Sequence, residues 1–321
     1  KTTNEIICPN CKKTFKVDSD QQNLGELHYY VWKPAAPKGW LHVIHGMSEH
    51  AQRYAPLAQY LNANGYLVTA DDHRGHGQTG VSSGDLNHLG DTDSWAQMLD
   101  DQWQLIRSLG RQYGMQPVIL GHSMGAAMAL ALGQKFSAEF RQNLQGLVLS
   151  AASYAPSVSY RIAAAIARLE RARVGARKSS EVLRYLSFGS FNRFFKPART
   201  ESDWLSRDPQ QVDSYIADPL CGGTLSTQSW VDFLDALASL FSAASLRALD
   251  ASKPLLLMSG DRDPVGDQGK SSRALHRQLK KAGLRDLEIE LYPGARHEIF
   301  NELNRDEVQA TLLKWLHRRG F

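Results

Sequence analysis

A chain of 321 residues, 42% apolar and 22% charged, is long enough to bury a large core and ordinary in its balance. Its net charge of +4 is too small to imply nucleic acid, and no run of about 18 uncharged apolar residues offers a membrane span. Three cysteines do not make a disulfide framework, and the start lacks the apolar centre of a signal peptide, so a cytoplasmic location is expected.

Residues 1–22 read as an N-terminal extension. Its Cys8-x-x-Cys11 looks like half of a zinc ribbon, but it supplies two ligands where a structural zinc needs four, so no metal is expected. The alternating stretch Glu26–Pro34 predicts an antiparallel strand at a sheet edge. Short apolar runs follow at Trp40–Gly46, Tyr66–His73, Pro117–Ser123, Leu144–Ser153, Lys253–Asp261 and Leu287–Ala295. Each suits a strand buried on both faces of a parallel sheet. Helical patterns lie between them at Tyr54–Asn64, Ser94–Tyr113, Met124–Phe136, Gly269–Ala282 and Asp306–Arg318. This alternation predicts an α/β fold, with a mostly parallel central sheet and helices on both faces.

The alternation breaks after Ser153. Residues 153–235 read as an inserted helical cap, with 23–152 and 236–321 forming the core. Arg161–Arg199 holds ten Lys/Arg and two Glu, mixed with Tyr185, Leu186, Phe188, Phe191, Phe194 and Phe195. Ile162, Ile166 and Leu169 share one helical face. Such a surface suits contact with lipid headgroups; the plainer reading is a solvated face over a small core.

The chemistry centres on Gly121-His-Ser-Met-Gly125. A bare G-x-S-x-G arises by composition in about one chain in ten of this size. Here an apolar strand precedes it and an alanine-rich helix follows, which is the order of a nucleophile elbow. Ser123 needs a base, and the base needs an orienting acid. Both should follow later strands, in the order acid then histidine. His297, after a strand and a Pro–Gly turn, leads the histidines; His276 and His317 read as surface residues. Asp263 leads Asp261 as the acid, and Asp267 reads as a helix N-cap. The oxyanion needs two backbone donors, and the amides of Met47 and Met124 are the candidates. His45 and His50 read as loop braces. His73 and His76 offer no metal-ligand spacing.

Together, HGMSEHAQRY, DHRGHGQTG, GHSMG, DPLC, GDRDPV and PGARHEIFNE resemble the monoacylglycerol lipase and lysophospholipase branch of the α/β-hydrolases. The resemblance runs from Glu26 to Leu316 and includes a cap match at Trp204–Leu220. It implies an α/β-hydrolase fold, a cap over the serine, an apolar acyl tunnel and no cofactor. It carries over Ser123, Asp263 and His297 as a catalytic triad, and Met47 and Met124 as oxyanion donors. Glu49 and Arg53 fall where the family builds a polar network beside the alcohol pocket, and His122 joins them as a pocket candidate. Animal members often carry a second histidine three residues after the catalytic one; here Phe300 stands there.

The expected activity is hydrolysis of a single-chain lipid ester, monoacylglycerol foremost, through an acyl-serine. The expected location is cytoplasmic, with peripheral contact to the inner membrane face. A lysophospholipase would use the same machinery. A prolyl-type aminopeptidase would need cap carboxylates, and Arg161–Arg199 is poor in them. A binding protein without catalysis would usually lack a triad member.

Overall fold

The computed structural model describes residues 4–7, 14–17 and 27–321. Strands β1 (Asn4–Ile7) and β2 (Thr14–Val17) pair antiparallel. Cys8 and Cys11 lie outside the described residues.

Seven further strands form one sheet: β3 (Tyr29–Trp32), β4 (Gly39–Ile44), β5 (Tyr66–Asp71), β6 (Pro117–His122), β7 (Gly146–Ser150), β8 (Leu255–Gly260) and β9 (Leu287–Tyr292). Their spatial order is β3-β5-β4-β6-β7-β8-β9. Edge strand β3 runs antiparallel to β5, as the alternation of its sequence predicts, and every other pairing is parallel. Every residue of β4 to β8 is buried, which explains their mostly apolar character. Strand β9 departs from the expected double burial. It has one neighbour and keeps Glu288 and Glu290; Glu288 pairs with Arg318 and Arg319 along that edge.

Helices α1 (Ala55–Ala63), α2 (Gly77–Ser83), α3 (Ser94–Tyr113), α4 (Met124–Lys135) and α5 (Ser137–Asn143) precede β7. Between β7 and β8 come α6 (Ser157–Val174), α7 (Glu181–Arg184), α8 (Pro209–Ala217), α9 (Thr227–Leu240) and α10 (Ala243–Arg247). Helices α11 (Lys270–Ala282) and α12 (Arg305–Arg318) follow β8 and β9. One sheet face packs Leu57, Leu61, Leu312 and Trp315 from α1 and α12. The other packs Trp103, Ile106, Met128 and Leu279 from α3, α4 and α11. Met124 through Gly133 of α4 are all buried, and its run of small residues lets the helix lie close beneath the serine.

The segment between β7 and β8 is helical and lies over the carboxyl edge of the sheet. A boundary at residue 235 would cut α9. That helix packs on α6 and also on α3 and α4, so it belongs to both layers. Two smaller expectations also change. Gly269, not Asp267, caps α11; Asp267 takes a φ of 46° and pairs with Lys270 instead. His317 is exposed, but His276 is half-buried beside Leu275 on the inward flank of α11.

Candidate active site

The chain turns sharply between β6 and α4. Ser123 occupies the turn with φ 53° and ψ −112°, a conformation a serine adopts only under constraint. Its N–H donates to the Ser150 carbonyl at 2.9 Å. Glycines on both sides make the turn feasible. A Cβ at Gly121 would strike the Gly125 carbonyl, and one at Gly125 would strike the Ile44 carbonyl. The serine therefore stands at the carboxyl edge of the sheet, where the first turn of α4 points its free amides at the same space.

His297 and Asp263 reach that space from the loops after β9 and β8. His297 Nδ1 lies 3.0 Å from Asp263 Oδ1, and both side chains are buried. Asp263 Oδ1 also accepts from the Val265 N–H at 2.9 Å, which orients the carboxylate. With Nδ1 engaged, Nε2 is the ring atom left for the cavity that Ser123 and His297 both line. Burial pulls the imidazole pKa down. The charge and hydrogen bond of Asp263, aided by Glu298 and Glu49, outweigh it and raise the pKa above the ordinary histidine value. Asp261 does something else: it accepts from the Gly294 N–H at 2.7 Å and so ties the two loops together.

Met47 and Met124 line the same cavity. Met124 is the first residue of α4, so its amide has no acceptor within the helix. The loop carrying Met47 is held from above. The Ser48 carbonyl accepts from Tyr215 Oη at 3.1 Å and Gly222 N–H at 2.9 Å, while Ser48 Oγ donates to the Gly223 carbonyl at 2.6 Å. His50 Nε2 bonds Asp218 Oδ2 at 2.8 Å. His45 supports the loop from below, stacked on His73 at 3.7 Å and bonded to the Gly46 carbonyl at 2.7 Å.

Glu49 and Arg53 sit where the resemblance places a polar network, and Glu298 completes it. Arg53 makes a two-pronged pair with Glu298 at 2.6 and 2.7 Å and reaches Glu49 at 2.8 Å. Burial raises the Glu49 pKa against the pull of Arg53; in Glu298 the Arg53 charge and hydrogen bonds overcome burial and lower it. His122 lies 4.9 Å from the His297 ring, and burial with that neighbour lowers its pKa to about 3. Sequence reasoning missed Glu298 as a separate participant, although it directly follows His297. It also missed Trp204, whose ring lies 5.1 Å from His297. A tryptophan inside the cap match carries no signal of its own until the cap is folded over the histidine.

The cavity has a volume of about 220 Å³. Its base holds Ser123, His297, His122, Glu49 and Glu298; its walls are apolar, including Leu130, Phe188, Trp230, Leu237 and Phe241. Phe300 takes no part in this lining. It is buried in the core on the opposite sheet face. Among the described residues, one group could hold a metal: donor atoms of His50, Asp218 and Cys221 lie within 4.8 Å of one another. His50 and Asp218 already bond each other, and burial raises the Cys221 thiol pKa far above its usual value. The His50–Asp218 bond therefore ties the loop to the cap in this arrangement.

Strand order and the serine's place at the carboxyl edge define an α/β-hydrolase. A profile of the serine aminopeptidase S33 family matches residues 35–304. The chain is 31% identical over 294 residues to a monoacylglycerol lipase of Mycolicibacterium smegmatis, covering 90% of this chain and 91% of that one. It is 30% identical over 293 residues to the human monoglyceride lipase, covering 90% and 86%. A solved thermostable carboxyl esterase from Bacillus coagulans, in complex with glycerol, superposes with a TM-score of 0.83 at 25% identity, covering 100% and 99%. The chain belongs to the serine aminopeptidase S33 family, on its monoglyceride lipase branch, and is a carboxylic ester hydrolase.

Proposed function

We propose that the protein hydrolyses monoacylglycerols through an acyl-serine intermediate. Ser123 Oγ attacks the ester carbonyl carbon while its proton passes to His297 Nε2. Asp263 holds the imidazole tautomer and stabilises the imidazolium. The Met47 and Met124 amides receive the oxyanion. The intermediate collapses, the carbon–oxygen bond to the alcohol breaks, and His297 returns the proton to the leaving oxygen. Water then gives a proton to His297 and attacks the acyl-serine. Collapse releases the fatty acid and restores the Ser123 hydroxyl. The observation that carries this reading is the strained serine, sharing one cavity with a buried His–Asp pair.

The cavity also bears on the substrate. Its polar base presents the carboxylates of Glu49 and Glu298, and no lysine or arginine lines it among the described residues. Arg53 offsets only one of these two carboxylates and does not itself line the cavity, so a phosphate-bearing head would find no cation facing it, whereas a neutral glycerol carries no charge to be repelled. This favours monoacylglycerol over a lysophospholipid.

The cap supplies access. Arg168, Arg173, Arg177, Arg184 and Arg199 each pair with a carboxylate, so much of the basic character is neutralised locally. Beside the exposed Arg161, Lys178, Arg193 and Lys196, the cap also exposes apolar side chains: Ile162 at 60%, Leu169 at 71%, Tyr185 at 63% and Leu186 at 55%. Leu186 also lines the cavity, so the apolar patch and the cavity mouth meet. That continuity suits a lipid passing from a membrane surface into the site. No described helix is long and apolar enough to cross a membrane.

One panel tests the reading. Wild-type protein and Ser123→Ala are compared on p-nitrophenyl butyrate, 1-monoacylglycerol and lysophosphatidylcholine, with fluorophosphonate labelling alongside. The expected result is an adduct at Ser123, loss of all hydrolysis in the variant, and preference for monoacylglycerol. Full activity in Ser123→Ala would overturn the mechanism; preference for lysophosphatidylcholine would overturn the substrate.

A further inference from the structure

The proposed chemistry needs two loops at a constant spacing, and one side chain joins them. The loop at 46–50 carries the Met47 amide; the loop at 296–300 carries His297. Arg53, on the 3-10 turn Ala51–Tyr54, lies between them. Its Nη1 donates to Glu49 Oε2 at 2.8 Å and to Glu298 Oε1 at 2.6 Å, and its Nη2 donates to Glu298 Oε2 at 2.7 Å. Glu49 passes the restraint onward. Its Oε1 accepts the Gly46 N–H at 2.6 Å and the Tyr54 hydroxyl at 2.9 Å. The Gly46 amide stands directly before Met47, so this carboxylate orients the backbone leading into the expected oxyanion donor. Glu298 directly follows His297. Its N–H donates to the Leu205 carbonyl at 2.8 Å, and its Oε2 also accepts from Asn301 at 3.0 Å. The Tyr215 ring of the cap covers the guanidinium at 4.9 Å.

We propose that Arg53 is a positioning residue that clamps the oxyanion loop to the histidine loop; this rests on the acyl-serine reading above. Physical chemistry favours a guanidinium here. The side chains of Arg53, Glu49 and Glu298 are 10%, 4% and 7% exposed, so three charges have been taken out of water. Such a group persists only when its geometry is well met. A planar fork gives Glu298 two parallel donors while still reaching Glu49, a geometry that three donors on one ammonium nitrogen do not reproduce. Two carboxylates around one guanidinium also leave surplus negative charge facing the pocket. Asp263, Glu298 and Glu49 act on His297, beside the His122 ring 4.9 Å away, and the surplus favours the imidazolium that forms as Ser123 loses its proton.

The clamp differs from a direct grip on the substrate's alcohol, and the choice of substrate separates them. A grip matters only for an ester with alcohol hydroxyls; a clamp matters for every ester. Steady-state kinetics on 1-monoacylglycerol and p-nitrophenyl butyrate are compared for wild type, Arg53→Met, Arg53→Lys, Glu49→Gln, Glu49→Ala and Glu298→Gln. Folding is checked by near-UV circular dichroism. Arg53→Met and Arg53→Lys should lower kcat roughly 10–100-fold on both esters, as small misplacements do, with KM within about three-fold. Glu49→Gln keeps the acceptor for Gly46 and should retain more activity than Glu49→Ala. Glu298→Gln removes negative charge near His297 and should move the acid limb of the kcat/KM profile to lower pH. A loss confined to monoacylglycerol, a loss in KM alone, or wild-type kcat in the folded Arg53 variants would overturn the clamp. Arg53→Lys keeps the charge and much of the length, so it carries the test if Arg53→Met does not fold. Activity in Ser123→Ala would instead remove the acyl-serine reading beneath it.

Discussion

The two sides of the cavity are built from opposite materials. The base comes from loops at the carboxyl ends of buried parallel strands, and its side chains are charged and densely bonded. The Arg53–Glu298, Glu49–Gly46 and His297–Asp263 contacts all fall between 2.6 and 3.0 Å. The cap side is aromatic and aliphatic: Phe188 stacks on Trp204, Phe191 leans against Trp204, and Trp230 meets Phe233. Hydrogen bonds are directional and tie chemistry to a place; apolar contacts are not, and they tolerate substitution. The proposed function thus assigns reaction and acyl-chain accommodation to different layers, so damage to each should have a distinct signature.

The sharpest break is at the base. Ser123→Ala should lower kcat roughly a million-fold, the scale seen when a triad nucleophile is removed, measured by single-turnover hydrolysis. Asp263→Asn should keep the fold but leave the imidazole in the wrong tautomer, lowering kcat about 10⁴-fold. Both effects should be independent of acyl length; a strong length dependence would mean that base and cap are not separable.

Damage to the cap should read differently. Phe188→Ala removes apolar wall, so kcat/KM should fall roughly ten-fold for long-chain monoacylglycerols and little for butyrate, following about 0.8 kcal/mol per buried methylene. An equal loss on both esters would show that the aromatic layer also orients the chemistry. The mildest effect is expected outside. Leu169→Glu places a charge in the exposed patch and should weaken sedimentation with phosphatidylcholine vesicles a few-fold, with activity loss concentrated on vesicle-borne substrate.

pH sharpens the comparison further. In the proposed mechanism His297 must be unprotonated to accept the serine proton, and its pKa is raised, so the acid limb of kcat/KM should lie above about 6.5. Stability should respond in another window. His76 and His122 are buried and neutral, with pKa values lowered to about 3, while the unfolded chain takes up those protons near pH 6.5. The unfolded state therefore binds more protons as pH falls, and stability should drop from about 6.5 downward toward about 3. Thermal unfolding followed from pH 8 to pH 4 checks the sign.

Much of the base was readable along the chain. Gly121 and Gly125 flank Ser123 because a Cβ would strike backbone at either place, and that constraint is local enough to appear as a motif. Asp263 and His297 follow strands, so counting strands places them at one sheet edge. The clamp was legible only in halves. Glu49 and Arg53 are four residues apart on one turn, but Glu298 is 245 residues from Arg53, and nothing in either segment announces the pairing. The cap was least legible. Phe188 and Phe191 face inward while Tyr185 and Leu186 are mostly exposed, and composition treats all four alike.

By itself the sequence determined the strand–helix alternation, the sharp turn at Ser123 and the order of the Asp263 and His297 loops, because each rests on periodicity or on neighbours within a few residues. Only the tertiary structure decided that α9 belongs to core and cap together, that Trp204 closes over His297, and that Arg53 links two distant loops. Those outcomes depend on long-range packing and on charges that must find partners once removed from water, and no local pattern encodes which partner they find.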